Sequence, residues 1–229
     1  MTIQLLREYS NYFQWAGSFF ICIACIPLFK NRKAYIKTLF FYGLSSILFQ
    51  AGQQLSVSFF NNQNINQIGN GFVFFESILL TTVFWFAVSD AFWRKWIATL
   101  GGLYVIGYIV CILFFQENSH SLIRTGREML MIVCSVGYFF YLIRKLPEEN
   151  LLKFPMFWIN TAILFFFAGT FMLSLMLDYI TNVLHNDLIG FWTFRNFFRF
   201  GFCLLLMYAA WLDFTLVKDS LQGKKSPVI

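Results

Sequence analysis

The chain has 229 residues, 59% of them hydrophobic and 12% charged, with a mean hydropathy of +0.64 and a formal net charge of +6. An average globular domain carries about 25% charged residues, so an ordinary water-soluble domain is excluded. The fold class this predicts is all-α, a polytopic membrane protein built as a seven-transmembrane-helix bundle. Its apolar blocks lie near 12–29, 38–59, 71–90, 96–115, 123–143, 154–177 and 190–213 and form a single domain, followed by a short basic cytoplasmic tail, 218–229.

Orientation follows from the basic residues of the short loops, which favour the cytoplasmic side. Lys30, Arg32, Lys33 and Lys37 follow the first block, and Arg94 and Lys95 lie between the third and fourth. Arg144, Lys145 and Lys153 lie between the fifth and sixth, and Lys218, Lys224 and Lys225 are in the tail, which puts 12 of the 17 basic residues on one side. The N-terminus is therefore expected outside and the C-terminus in the cytoplasm. The same bias accounts for the net charge, so nucleic acid is not an expected partner and membrane lipid is.

The first block follows a nearly neutral stretch, MTIQLLREYS, with no small-x-small cleavage site after it, so it is expected to remain as a span. Its Cys22 and Cys25 form a CxxC inside an apolar helix and, like Cys111, Cys134 and Cys203, are expected to pack and not to bridge. The second block carries Gln50, Gln53 and Gln54 near its outer end. Three amides on one stripe are poor company for lipid and are expected to face the bundle interior.

The third block places Glu76 about six residues, hence ~9 Å, below its outer start, where a lone carboxylate needs a partner. The fourth carries glycine and tyrosine but no charge. In the fifth, only the 15 residues Met129–Ile143 are uncharged, so Arg124, Arg127 and Glu128 must enter its first turns at the outer interface or just below it. The sixth begins with Pro155 in its first turn. The apolar core of the seventh, Phe200–Leu212, has 13 residues where about 20 are needed, so this helix must extend backwards and draw Arg195, Asn196 and Arg199 into the membrane. Arg195 and Arg199, four apart, share one face. Asp90 and Asp213 fall at cytoplasmic helix ends, as solvated or arginine-paired boundary residues.

Gln50, Gln53, Gln54, Glu76, Arg124, Arg127, Glu128, Arg195, Asn196 and Arg199 thus come from four helices at one depth, in the outer third. A polar cavity open to the outside would unite them, and four arginines against two glutamates would suit a small anionic or carboxylate-bearing ligand through forked contacts. The other reading is an ion-pair network that only fixes helix packing, with Glu76 paired to Arg195 or Arg199 and the fifth-helix charges interfacial. His120 and His185 fall in outer loops and no span has a central lysine, so neither a metal, a haem nor a retinal-type cofactor is expected.

Phe157, Trp158 and Asn160 after Pro155, and Phe191, Trp192, Arg195, Asn196, Phe197 and Phe198 of the seventh helix, resemble motifs of small seven-helix bacterial membrane proteins. Those proteins are similar to the membrane sensor portion of histidine kinases without the kinase. The resemblance implies a signalling role in the plasma (inner) membrane of a bacterium, with a separate cytoplasmic kinase or regulator as partner. Pro147-Glu148-Glu149 is similar to the PxEE element of small membrane lycopene cyclases, which would imply acid catalysis on a polyene; as a cytoplasmic loop it reads instead as a proline turn with solvated glutamates. The expected function is a receptor-like sensor. An intramembrane enzyme acting on a lipid or polyene, and a small-solute transporter, stand as alternatives.

Overall fold

The computed structural model describes the backbone at residues 2–59, 65–114, 119–145, 151–175 and 188–223, and side chains at 12–56, 67–114, 121–145, 151–175 and 193–223. Seven α-helices lie among the described residues: α1 Thr2–Cys25, α2 Ala34–Phe59, α3 Ile65–Ala87, α4 Ala91–Phe114, α5 Ser119–Lys145, α6 Pro155–Leu175 and α7 Leu188–Leu221. Five are long and apolar enough to cross a membrane, at Gln67–Ala87, Ala91–Phe114, Ser121–Lys145, Pro155–Leu175 and Thr193–Leu221. In α1 the described side chains form an apolar stretch at Tyr12–Cys25. In α2, which is not among the five, Ser45, Ser46, Gln50, Gln53 and Gln54 dilute the apolar run.

Packing closes α1, α2, α3, α5, α6 and α7 into a ring, each touching the next and α7 returning to α1, while α4 lies outside it across the seam of α3 and α5. The ring forms where side chains are small enough for backbones to approach. Gly17 of α1 faces the Cys203 sulfur of α7, and Gly43 of α2 faces Cys22 and the Ser18 carbonyl of α1, so a methyl group at either site would overlap its neighbour. All five cysteines are free. Cys22 and Cys203 therefore serve as packing surfaces, as buried thiols commonly do. Below the polar centre the interior is filled by side chains such as Leu39, Phe84, Met131, Ile163 and Leu206, all with no exposure.

Three boundaries depart from the sequence expectation. The third helix starts at Ile65, not near 71, so Glu76 lies 11 residues in, about 17 Å along the axis and close to the middle of the span. The seventh helix runs through 213 to Leu221, which makes Asp213 a mid-helix residue and places Lys218 in the last helical turn instead of a free tail. The first helix ends at Cys25, and the chain turns at Leu28, whose φ of 55° is left-handed.

Candidate functional site: an ionic centre in two tiers

Helical spacing explains how the centre is assembled. Tyr42, Ser46 and Gln50 are four apart on α2 and so form one stripe, and the stripe faces α1, α3 and α7. The Tyr42 hydroxyl donates to Glu76 Oε1 at 3.0 Å. Arg199 Nη1 reaches the same oxygen at 3.4 Å, while its Nη2 donates to the Tyr42 hydroxyl at 3.2 Å and to Ser46 Oγ at 3.3 Å. Gln50 Nε2 donates to Ser46 Oγ at 2.9 Å and to Ser18 Oγ of α1 at 3.2 Å.

The other half of the centre comes from α5 and α6. Arg127 is paired with Glu76 Oε2 through Nη1 and with Glu128 Oε1 through Nη2, the latter at 3.0 Å. Ser174 Oγ of α6 donates to the same Glu128 oxygen at 2.9 Å. Aromatic faces complete the cage: Arg127 lies 5.2 Å from the Phe167 ring centre, and Arg199 lies 5.2 Å from Phe72 and 5.8 Å from Phe166. Glu76 and Glu128 have no exposure and Arg127 has 1%. Two guanidinium groups and two carboxylates thus form a neutral, closed floor. An isolated ion in hydrocarbon is costly, and mutual pairing removes most of that cost.

Arg124 and Arg195 form a second tier one turn further toward the N-terminal ends of α5 and α7. Arg195 is buried and lies within electrostatic reach of Arg124, Arg127, Glu128 and Arg199. The Arg124 guanidinium and the Gln53 amide both lie beside Gly69 of α3, where a methyl group would sit 3.9 and 3.6 Å from them. Among the described residues this tier holds cations and amides, and the two glutamates lie in the floor below.

The expected pairing of Glu76 with Arg199 is present, and the main pairing with Arg127 was not anticipated. Arg127 and Glu128 were expected in the first turns of the fifth helix, at the outer interface or just below it. Since α5 begins at Ser119, they lie 8 and 9 residues in and are buried in the ring, and α3 begins early enough to bring Glu76 to them. Gln50 and Gln53 join the site, Gln50 by bonding and Gln53 by position, whereas Gln54 is exposed. Asn196 is partly buried beside Arg195. His185, Pro147, Glu148 and Glu149 lie outside the described residues, as does the His120 side chain.

A second ionic site lies at the other end of α7. Arg32, expected in a solvated basic loop, is buried: Nε donates to the Pro27 carbonyl at 3.0 Å, Nη2 to that of Ala24 at 2.9 Å, and Nη1 to that of Ala210 at 2.6 Å. Nη1 also lies 3.3 Å from Asp213 Oδ2. Asp213 is therefore arginine-paired as expected, though inside the fold. Asp90 caps α4, its Oδ1 accepting from the Phe92 amide at 2.8 Å. No group of three or more potential metal ligands occurs among the described residues. Comparison with protein-family models, curated proteins and solved structures returned no match.

Proposed function

We propose that the chain is a receptor-like sensor in the plasma membrane of a bacterium, in which all seven helices span, the N-terminus lies outside and the C-terminus in the cytoplasm. A small anionic or amphipathic ligand binds the outer tier at Arg124, Arg195, Gln53 and Asn196. The observation that carries this reading is the excess of guanidinium groups over carboxylates among the described residues, stacked on a floor already neutral. Bringing an anion to that tier offsets the repulsion between Arg195 and its neighbouring cations, and a carboxylate fits the guanidinium fork.

Output runs through α7. The helix that carries Arg195 and Arg199 also carries Asp213, 18 residues on and about 27 Å along the axis, where it is tied to the α1–α2 turn through Arg32. A ligand that shifts the outer end of α7 by preferring one arrangement is thereby coupled to the cytoplasmic end, where a separate kinase or regulator reads it. The filled apolar interior beneath the floor favours this over a through-path for a transported solute.

Titration calorimetry of the purified chain with small mono- and dicarboxylates and inorganic phosphate tests the ligand. A charged hydrogen bond is worth about 1.5–3 kcal/mol, so Arg195→Ala should weaken a bound anion roughly 10- to 100-fold, and Arg195→Lys should recover part of that loss. Should no anion bind, the arginines only pin helices and the receptor reading fails. Cysteine labelling at positions 64 and 145 tests orientation, since the two loops must report opposite sides.

A further inference from the structure

Two clefts flank α4, away from the ionic centre. The larger, about 420 Å³, runs between α4 and α5 from Leu100 to Cys111 and is lined by apolar side chains, including Leu103, Ile123, Met129 and Val133. The smaller, about 170 Å³, lies between α3 and α4 and presents the hydroxyl-bearing residues Ser77, Thr81, Thr82 and Tyr104. Tyr104 lines both clefts. The two clefts meet at this tyrosine, apolar on one side and hydroxyl-lined on the other.

The hydroxyl side is not self-satisfied. Ser77 Oγ donates to the Val73 carbonyl at 2.7 Å and Thr82 Oγ1 to the Ile78 carbonyl at 2.7 Å, each closing on its own helix. Thr81 Oγ1 is buried and makes no hydrogen bond among the described residues, and the buried Tyr104 hydroxyl has at most a long contact to Ser77, whose own hydrogen is given to Val73. A buried hydroxyl left unpaired costs about 1–3 kcal/mol. Thr81 and Tyr104 both line the smaller cleft, and under-satisfied hydroxyls there call for an occupant with its own oxygen. Glycine makes the space: beyond a Cβ built at Gly107 there is nothing within 4 Å, and at Gly126 only the Tyr104 ring is near, at 3.8 Å.

We infer that these clefts form one site for a long-chain, uncharged molecule with a small hydroxyl head, taken up sideways from the bilayer. The chain lies along α4 and α5 and the head sits between Thr81 and Tyr104. Two features fix the class. At ~30 Å³ for a water-sized group, 420 Å³ holds about a dozen such groups, enough for a chain and too much for a small solute. Thr81 and Tyr104 lie near the middle of the spans Gln67–Ala87 and Ala91–Phe114, a depth at which a charged phospholipid headgroup is strongly disfavoured. The ion pairs beside Tyr104 already balance one another, so no charge is wanted there. The site is independent of the anion site: Gly126 and Met129 face the cleft, whereas Glu128 points into the ring to Arg127 and Ser174.

The test is photolabelling of the purified full chain in lipid nanodiscs with a diazirine-bearing dodecanol, beside matched dodecanoate and phosphatidylcholine probes. The alcohol should label α4 and α5 peptides saturably and be competed by plain dodecanol. Gly107→Leu, which projects into open space and should leave the fold intact, should cut that labelling about tenfold or more, by excluding several methylenes of the chain. Tyr104→Phe should weaken competition about fivefold, as one lost hydrogen bond implies, and it carries the test if Gly107→Leu fails to fold. Labelling that does not saturate, that phosphatidylcholine matches, or that both variants leave unchanged shows ordinary boundary lipid and overturns the proposal. Equal labelling by dodecanoate overturns the uncharged head.

Discussion

The chain buries arginine in two ways, and the two ends of α7 set them side by side. At the Glu76 centre, Arg127 and Arg199 are held by side chains: Glu76 and the hydroxyls of Tyr42 and Ser46 from other helices, and for Arg127 also its neighbour Glu128. Toward the C-terminal end of α7, Arg32 is held chiefly by three backbone carbonyls, with one long contact to Asp213. Backbone carbonyls are present whatever the side chains are, so this site tolerates loss of its carboxylate. The central site depends on Glu76 to bring two cations together. One arrangement is a network with a keystone, and the other is a plug in a socket.

Removing the keystone gives the largest expected effect. Glu76→Gln leaves Arg127 and Arg199 buried against a neutral amide, and breaking one side of a buried pair costs about 3–5 kcal/mol. Thermal unfolding in detergent should show a clear loss of stability; a small effect would mean that water reaches the centre. Asp213→Asn should cost less, about 1–2 kcal/mol, because the carbonyls of Ala24, Pro27 and Ala210 still hold Arg32. If Asp213→Asn proves as damaging as Glu76→Gln, the contrast between the two sites collapses.

Tyr42→Phe sharpens the same contrast. It deletes one donor to Glu76 and one acceptor for Arg199, an expected cost of about 1 kcal/mol. A double-mutant cycle with Arg199→Lys should show coupling, whereas a cycle with Asp213→Asn should be additive. The smallest effect belongs to the exposed Lys145–Asp90 contact at 4.0 Å. Lys145→Ala should shift stability by well under ~1 kcal/mol, with any effect disappearing in high salt.

Block lengths made the helices legible, and the shortage of apolar residues in the seventh block correctly drew Arg195 and Arg199 inward. The same length test did not reveal that Arg127 pairs with Glu76, because it counts residues from where charge ends and cannot see that α5 and α3 begin earlier. The stripe Tyr42, Ser46, Gln50 was open to the same periodicity reasoning that was applied to Gln50, Gln53 and Gln54, but the same four-residue step also reaches Gln54, so spacing alone does not show that Gln54 is exposed. Ser18 and Ser174 carry no sequence signal, since a serine in an apolar helix looks alike whether it bonds its own backbone or a partner. Arg32 was hidden by its neighbours: among Lys30, Lys33 and Lys37 it reads as one more cytoplasmic charge. Only the left-handed turn at Leu28, which sequence does not announce, brings it back under α1 and α7. That α4 stands outside the ring was also unreadable, because uniform apolarity looks the same facing lipid and facing protein.

The separation in chain between Glu76 and its partners bears on how the protein is made. Arg127 follows 51 residues later and Arg199 follows 123 later. At about 5–20 residues per second of synthesis, the carboxylate waits about 3–10 s for its first counter-charge and about 6–25 s for its second. Through that interval α3 has neither arginine beside it, so Glu76 must cross into the membrane protonated or stay sheltered by the insertion machinery until α5 arrives. The seventh helix closes the ring, and with it the charge that the third helix carried in is finally shared.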